Sequence, residues 1–151
     1  MPVTIRSAAL NDVPAILAIE RSALRAAHWT SEQYNKLVDS GVVLVAEEAA
    51  EKAGKLCGFV CAKVVAGEWE IENVAVSAEL LRRGIAHELV RELIQRAKNE
   101  DASAILLEVR KSNLPARQLY EKHGIRKVGR RLLYYRDPVE DAILYALRFD
   151  R

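Results

Sequence analysis

The chain has 151 residues, half of them hydrophobic and 29% charged, so it is long enough to bury a core and too mixed in composition to stay disordered. A net charge of +2 does not by itself imply nucleic-acid binding, and the longest apolar runs, such as Gly41 to Ala46, are far too short to span a membrane. Met1-Pro2-Val3-Thr4 lacks the charged and apolar regions of a signal peptide, which gives the expectation of one cytoplasmic domain over 1–151 with neither a membrane nor a direct nucleic-acid partner.

Val3 to Arg6 reads as a first strand. Asn11 or Asp12 suits the cap of the helix that follows, Pro14 fits its first turn, and Ile16, Leu17, Ile19, Ala23 and Leu24 form its apolar face. A second short helix starts after His28-Trp29, with Thr30 or Ser31 as its cap, and an aromatic residue in such a loop can close the core. Val42 to Ala46 is a strand, and 47–54 a polar turn. The next strands, 55–65 and 68–76, form an antiparallel hairpin through Ala66-Gly67. Alternation puts Trp69, Ile71, Asn73 and Ala75 on one face of the second of these, and Glu68, Glu70, Glu72, Val74 and Val76 on the other. Three alternating glutamates mark either a wetted face or a cleft in which Glu70 or Glu72 attracts a cationic amine. Cys57 and Cys61 have no nearby histidine to complete a metal set and read as small buried residues, so no metal site is expected.

The stretch Asn73 to His87 organises the rest. Apolar Val74 and Val76 lead through a short turn to Arg82-Arg83-Gly84, where a helix opens. Unpaired N–H groups, the helix dipole and a glycine that admits close approach make such a helix start suited to a phosphate. Leu89, Val90, Leu93, Ile94 and Ala97 recur at helical spacing, and Ala104 to Val109 is a short apolar strand carrying Glu108. Strand, helix and strand form a right-handed crossover, and ligands in open α/β sheets sit beyond the carboxyl ends of such strands. Ser112 or Asn113 caps a further helix with Pro115 in its opening turn and Gly124 at its end; Ala116, Leu119, Tyr120 and His123 share one face. Strands 125–135 and 141–147 close the chain across Arg136-Asp137-Pro138. The basic residues Arg126, Lys127, Arg130 and Arg131 lack regularly interleaved aromatics, so a charged edge explains them better than an RNA surface.

Leu81-Arg82-Arg83-Gly84-Ile85-Ala86 resembles the acetyl-CoA pyrophosphate loop of the GNAT acetyltransferases, Gln/Arg-x-x-Gly-x-Gly/Ala. Leu107-Glu108-Val109-Arg110-Lys111-Ser112-Asn113 and Ala116 to Gly124 resemble the RimI-type N-terminal protein acetyltransferases more specifically, and the likeness runs from near Ile5 to near Leu147. Leu81 departs from the family's Gln or Arg, and Ile125 from its usual Phe. The resemblance implies an α/β (α+β) fold with a mixed sheet of about seven strands and four helices, in the order β-α-α-β-β-β-α-β-α-β-β. It implies acetyl-CoA as cosubstrate and no metal.

The resemblance also implies roles. Val74, Ala75 and Val76 would pair with the amide arm of CoA, Arg82, Arg83, Gly84, Ile85, Ala86 and His87 would hold the diphosphate, and Asn113 would either contact the cofactor or simply cap its helix. Glu108 would be the general base, its pKa raised by partial burial, and Tyr120 the acid that protonates the thiolate, against its alternative as a core tyrosine. Trp29 would shape the acceptor site, and Tyr134 and Tyr135 would stand at the peptide entrance or pack across strands. A terminal amine of pKa near 7.8 is about one-seventh neutral at pH 7, whereas a lysine near 10.4 is neutral only about four times in ten thousand. The expected acceptor is therefore a protein α-amine, and by resemblance the N-terminal alanine of a small-subunit ribosomal protein. A small amine such as a polyamine or an aminoglycoside is the alternative acceptor, and a non-catalytic CoA-binding module the alternative function.

Overall fold

The computed structural model of the protein describes residues 3–23, 26–48, 54–81 and 84–150. Its elements are β1 (Val3–Ser7), α1 (Val13–Ser22), α2 (Ser31–Ser40), β2 (Val42–Glu48), β3 (Leu56–Val65), β4 (Glu68–Val76), α3 (Ile85–Asn99), β5 (Ala104–Arg110), α4 (Leu114–Lys122), β6 (Arg126–Tyr135) and β7 (Glu140–Arg148). This is the expected order, with single 3-10 turns added at Leu10–Asp12 and Ala78–Leu80. Leu24, assigned to the apolar face of α1, and residues 49–53 of the expected polar turn lie outside the described residues.

One seven-stranded sheet runs β1-β2-β3-β4-β5-β7-β6. Among the described residues only β4 and β5 are parallel neighbours; they are joined by the α3 crossover, and every other adjacent pair is antiparallel. Helices α3 and α4 bury Leu89, Val90, Leu93 and Leu119 with Val60, Ile71, Ile105 and Leu107 in one cluster. Helices α1 and α2 bury Val13, Ile16, Ile19, Tyr34 and Leu37 with Val43, Val45, Phe59 and Cys61 in the other. Each such apolar side chain contributes about 1.5–3 kcal/mol by leaving water, so the two helix layers clamp the sheet from both sides. Ile125, where the family's Phe was expected, is fully buried in the first cluster, consistent with a packing change. Both cysteines are buried free thiols.

Local chemistry explains most boundaries. Thr30 caps α2 reciprocally with Gln33: the Gln33 amide donates to Thr30 Oγ1 at 3.2 Å, and the Thr30 amide donates to Gln33 Oε1 at 2.8 Å. The Ala66-Gly67 turn has φ of 51° and 81°, the left-handed pair that a two-residue hairpin needs. Asp12 stands at the N-cap position of α1, as expected, but makes no side-chain capping bond there, because it also closes the 3-10 turn Leu10–Asp12. The Asp12 carboxylate instead accepts from the two Nη atoms of Arg6 at 2.8 and 3.0 Å and from the Ala9 amide at 2.8 Å, which holds its pKa below the ordinary carboxylate value.

Strand β4 requires a correction. Cys61 pairs with Asn73 but Ala62 pairs with Ile71, so Glu72 is an extra residue in a β-bulge. The bulge resets the alternation. Trp69 and Ile71 face α3, whereas Asn73 and Ala75, expected on the same face as them, turn toward α1 and α2.

Candidate active site

The bulge sits where the sheet opens. Pairing between β4 and β5 runs from Glu68↔Ala104 to Ile71↔Leu107 and stops there. Beyond that rung β5 continues against β7, while 72–76 of β4 keeps β3 on one side and, among the described residues, has no strand on the other. The mouth of this fork lies at the carboxyl ends of the parallel pair β4 and β5. Its free arm carries Val74, Ala75 and Val76, whose open backbone edge can receive an extended, amide-bearing chain as an added strand.

Helix α3 starts beside this arm. It begins at Ile85, not within the Arg-Arg-Gly turn, because Gly84 adopts φ 78° and ψ 8°, a left-handed conformation that closes the loop before the helix. Gly84 has no side chain with which to cap this end, and a Cβ built on it would meet no atom within 4 Å among the described residues. Ile85 is buried; Ala86 and His87 are half-buried. His87 Nδ1 lies 3.0 Å from Nε2 of His123 at the end of α4, tying the two helices together. Burial, then the neighbouring His87 and Arg91, lowers the His123 pKa and favours its neutral ring. Arg82 and Arg83 lie outside the described residues.

The fork mouth gathers carboxylates and phenols. Glu72 and Glu108 each follow the last paired rung, Ile71↔Leu107, and Glu70 precedes it on β4. The Glu108 side chain is 24% exposed and its Oε1 lies 3.0 Å from Arg131 Nε, so a charged partner from β6 stands where apolar surroundings were expected. Burial raises the pKa of Glu72; Glu70 and Glu108 add to the rise, and Lys63, 4.0 Å away, opposes it. Burial, with the Glu108 and Tyr134 charges, pushes Tyr135 up to about 12, and the Arg110 guanidinium lies 4.4 Å over its ring. Tyr134 is half-exposed, 5.2 Å from the Tyr135 ring and 5.4 Å from the Arg131 guanidinium.

Tyr120 lies on the α3–α4 side of the sheet. Its ring packs in the α3–α4 cluster and stands 6.4 Å from Tyr145, whose hydroxyl donates to Glu121 at 2.6 Å and accepts from Arg117 Nε at 3.0 Å, fixing α4 against β7. Burial, with Cys61 and Tyr135 as electrostatic neighbours, raises the Tyr120 pKa above the free-phenol value near 10 on which its expected role as acid rested.

The α1–α2 loop is held by Asn73, which the sequence shows only as one of an alternating set. Its Nδ2 donates to the Ala27 carbonyl and to the Tyr34 hydroxyl, both at 3.1 Å, and its Oδ1 accepts the Ala27 amide at 3.3 Å, binding the α1–α2 loop to β4. Trp29 closes this loop over the core, 5.8 Å from the Tyr34 ring, and its amide donates to the buried Glu20 carboxylate. Asn113 caps α4 by accepting the Ala116 amide at 3.3 Å, so its capping role is present and uses only the side-chain oxygen. Glu140 holds the turn before it, accepting the Ser112 amide at 2.8 Å and the Ser112 hydroxyl at 3.0 Å. Polar spacing gave a faint signal for Asn73; nothing local in the sequence marked Arg131 as a partner of Glu108.

The model of the Acetyltransferase (GNAT) family matches residues 11–125. The ribosomal protein bS18-alanine N-acetyltransferase of Escherichia coli K12 is 32% identical over 146 residues, covering 95% of this chain and 96% of its own length. The crystal structure of the Escherichia coli ribosomal-protein-S18-alanine N-acetyltransferase superposes with a TM-score of 0.88 at 29% identity, over 99% of this chain and 96% of that one. Arabidopsis thaliana NAA60, solved in complex with acetyl-CoA, shares the fold with a TM-score of 0.89 at 22% identity, over 98% of this chain and 100% of that one. The chain belongs to the GNAT family of acetyl-CoA-dependent acetyltransferases.

Proposed function

We propose that this protein transfers the acetyl group of acetyl-CoA to the α-amine of a protein N-terminus, and that its acceptor is the N-terminal alanine of a small-subunit ribosomal protein. The reading is supported by likeness over nearly the whole chain to an enzyme of that name, and by the fork at Ile71↔Leu107, the single observation that carries it. The arm Val74–Ala75–Val76 pairs with the amide-bearing part of CoA. The diphosphate docks on the main chain of Gly84, Ile85, Ala86 and His87, with Arg82, Arg83 and Asn113 as further contacts. Glu108 acts as base toward the amine, and Tyr120 protonates the departing thiolate. Glu70 and Glu72 draw the cationic N-terminus into the mouth, which Trp29, Tyr134 and Tyr135 border. A ribosomal acceptor places the protein in the cytoplasm.

The proposed acid is a poor match by pKa alone, since the structure raises Tyr120 and a free thiol has a pKa near 8.5. The same dry surroundings raise the thiol as well, so position and shared desolvation drive the transfer.

Mass spectrometry of the protein incubated with acetyl-CoA, a set of N-terminal peptides, and a set of polyamines and aminoglycosides tests the reading. The expected outcome is acetylation of α-amines, strongest on Ala-initiated peptides. Acetylation of the small amines with the peptides untouched would replace it with the small-amine reading. Thermal stabilisation by acetyl-CoA without transfer to any acceptor would mark a binding module.

A further inference from the structure

Two facing imidazoles bond only when one facing nitrogen carries N–H and the other a lone pair. One added proton strengthens such a pair, because a hydrogen bond with a charged donor is about twice as strong as a neutral one. A second added proton puts N–H on both facing nitrogens and breaks it. His87 Nδ1 and His123 Nε2 lie 3.0 Å apart, with ring centroids separated by 5.2 Å and ring planes inclined at 40°, so this pair has room for one added proton and no more.

The two rings join helix ends that the proposed reaction uses. His87 is the third residue of α3, in the turn whose amides receive the diphosphate in the reading above. His123 follows the last residue of α4, and its amide donates to the Tyr120 carbonyl at 3.0 Å, one turn from the proposed acid. Burial, then His87 and Arg91, lower the proton affinity of His123, and the positive end of the α3 dipole opposes charge on His87. Lys98 on α3 and Arg148 at the end of β7 border the groove that His123 lines and act in the same direction; Asp150 and the negative end of the α4 dipole oppose them. The balance keeps the free pair neutral. A diphosphate docked at the same turn brings two negative charges and offsets that balance.

We propose that His87 and His123 form a one-proton clasp coupled to the cofactor: docking of the diphosphate draws a proton from solvent onto the pair, and His123, as a positioning residue, accepts the Nδ1–H of His87 and fixes that charged ring in the first turn of α3. The inference rests on the diphosphate reading above. Charge on His87 is the arrangement that lies nearer the anion, and the bond to His123 uses Nδ1 and leaves Nε2 out of it. The coupling is reciprocal. If the diphosphate raises the proton affinity of the pair, a proton on the pair raises the affinity for the diphosphate by the same factor, so the cofactor binds more tightly as pH falls. Arginines in the loop cannot supply this dependence, because a guanidinium keeps its charge throughout the range.

The test is the affinity of acetyl-dephospho-CoA, which carries the diphosphate and no group that titrates between pH 6 and 8, for the wild-type chain, His123→Leu and His123→Gln. S-acetylpantetheine, which lacks the diphosphate, is the control. A gain of one pH unit in the proton affinity of the pair makes wild-type binding about fivefold tighter at pH 6 than at pH 8. Leucine removes the lone pair that receives Nδ1–H, so the gain in His123→Leu should shrink to within about twofold, while the glutamine oxygen accepts the same N–H and should keep it at about threefold or more. Binding of S-acetylpantetheine should differ by less than about twofold among the three chains, because it carries nothing for the clasp to meet. Tight wild-type binding that is flat in pH, or a His123→Leu chain that keeps the wild-type profile, would overturn the proposal and leave diphosphate docking standing. Equal losses of both donors in His123→Leu would show a displaced α4 and overturn it as well. Acetyl-dephospho-CoA bound no more tightly than S-acetylpantetheine by the wild-type chain would instead remove the diphosphate reading, and the clasp with it.

Discussion

Glu108→Gln is expected to lower kcat/KM for a peptide acceptor by about 100-fold or more, within the 10²–10⁴ range that a positioned acid or base contributes. A hundredfold loss corresponds to about 2.7 kcal/mol of transition-state stabilisation. The change cannot act through unfolding on that scale. Among the described residues the Glu108 side chain forms an ion pair with Arg131, whose side chain is 56% exposed, and such a pair contributes about 0–1 kcal/mol. Thermal melting together with steady-state kinetics checks both halves. A variant that melts normally and turns over within a few-fold of wild type would remove Glu108 from the chemistry.

Tyr120→Phe is expected to reduce kcat by about 10- to 100-fold with little change in the KM for acetyl-CoA, because the hydroxyl acts on a thiolate that exists only as the C–S bond breaks. Phenylalanine keeps the ring that packs in the α3–α4 cluster. Since that packing is kept, the substitution should change the melting temperature little. A core tyrosine with no chemical role would instead show normal kcat. The contrast with Tyr145 is instructive, because its hydroxyl is engaged by Glu121 and Arg117 and its loss should appear as lost stability.

Local sequence carried the element order well. Period-2 and period-3.6 patterns, the Ala66-Gly67 turn, the Thr30 cap and the Pro115 helix start are all decided within a few residues, and each appears where its local chemistry puts it. What was not legible depends on distant partners. The bulge at Glu72 arises from the register of β4 against β3, a relation between residues about ten positions apart that no alternation within β4 encodes. It put Asn73 and Ala75 on the opposite face from Trp69 and Ile71, and so placed the α1–α2 loop against the fork. The Glu108–Arg131 contact likewise joins β5 to β6 across β7. The expected burial of Glu108 followed from its apolar neighbours in sequence, while its charged neighbour comes from a strand that the chain reaches only after another helix. For the same reason the burial-raised carboxyl is Glu72, and sequence neighbours gave no way to rank it above Glu70.

The most direct measurement is a crystal structure of the protein with a peptide–CoA conjugate, in which the acceptor nitrogen is joined to the sulfur through an acetyl bridge. The diphosphate should lie against the backbone of Gly84 to His87, the amide arm should run along Val74 to Val76, and the bridged sulfur should stand within about 3.5 Å of the Tyr120 hydroxyl, with the peptide nitrogen toward Glu108 and Glu72. A conjugate seated elsewhere, or a sulfur facing away from both Tyr120 and the two carboxylates, would contradict the proposed site.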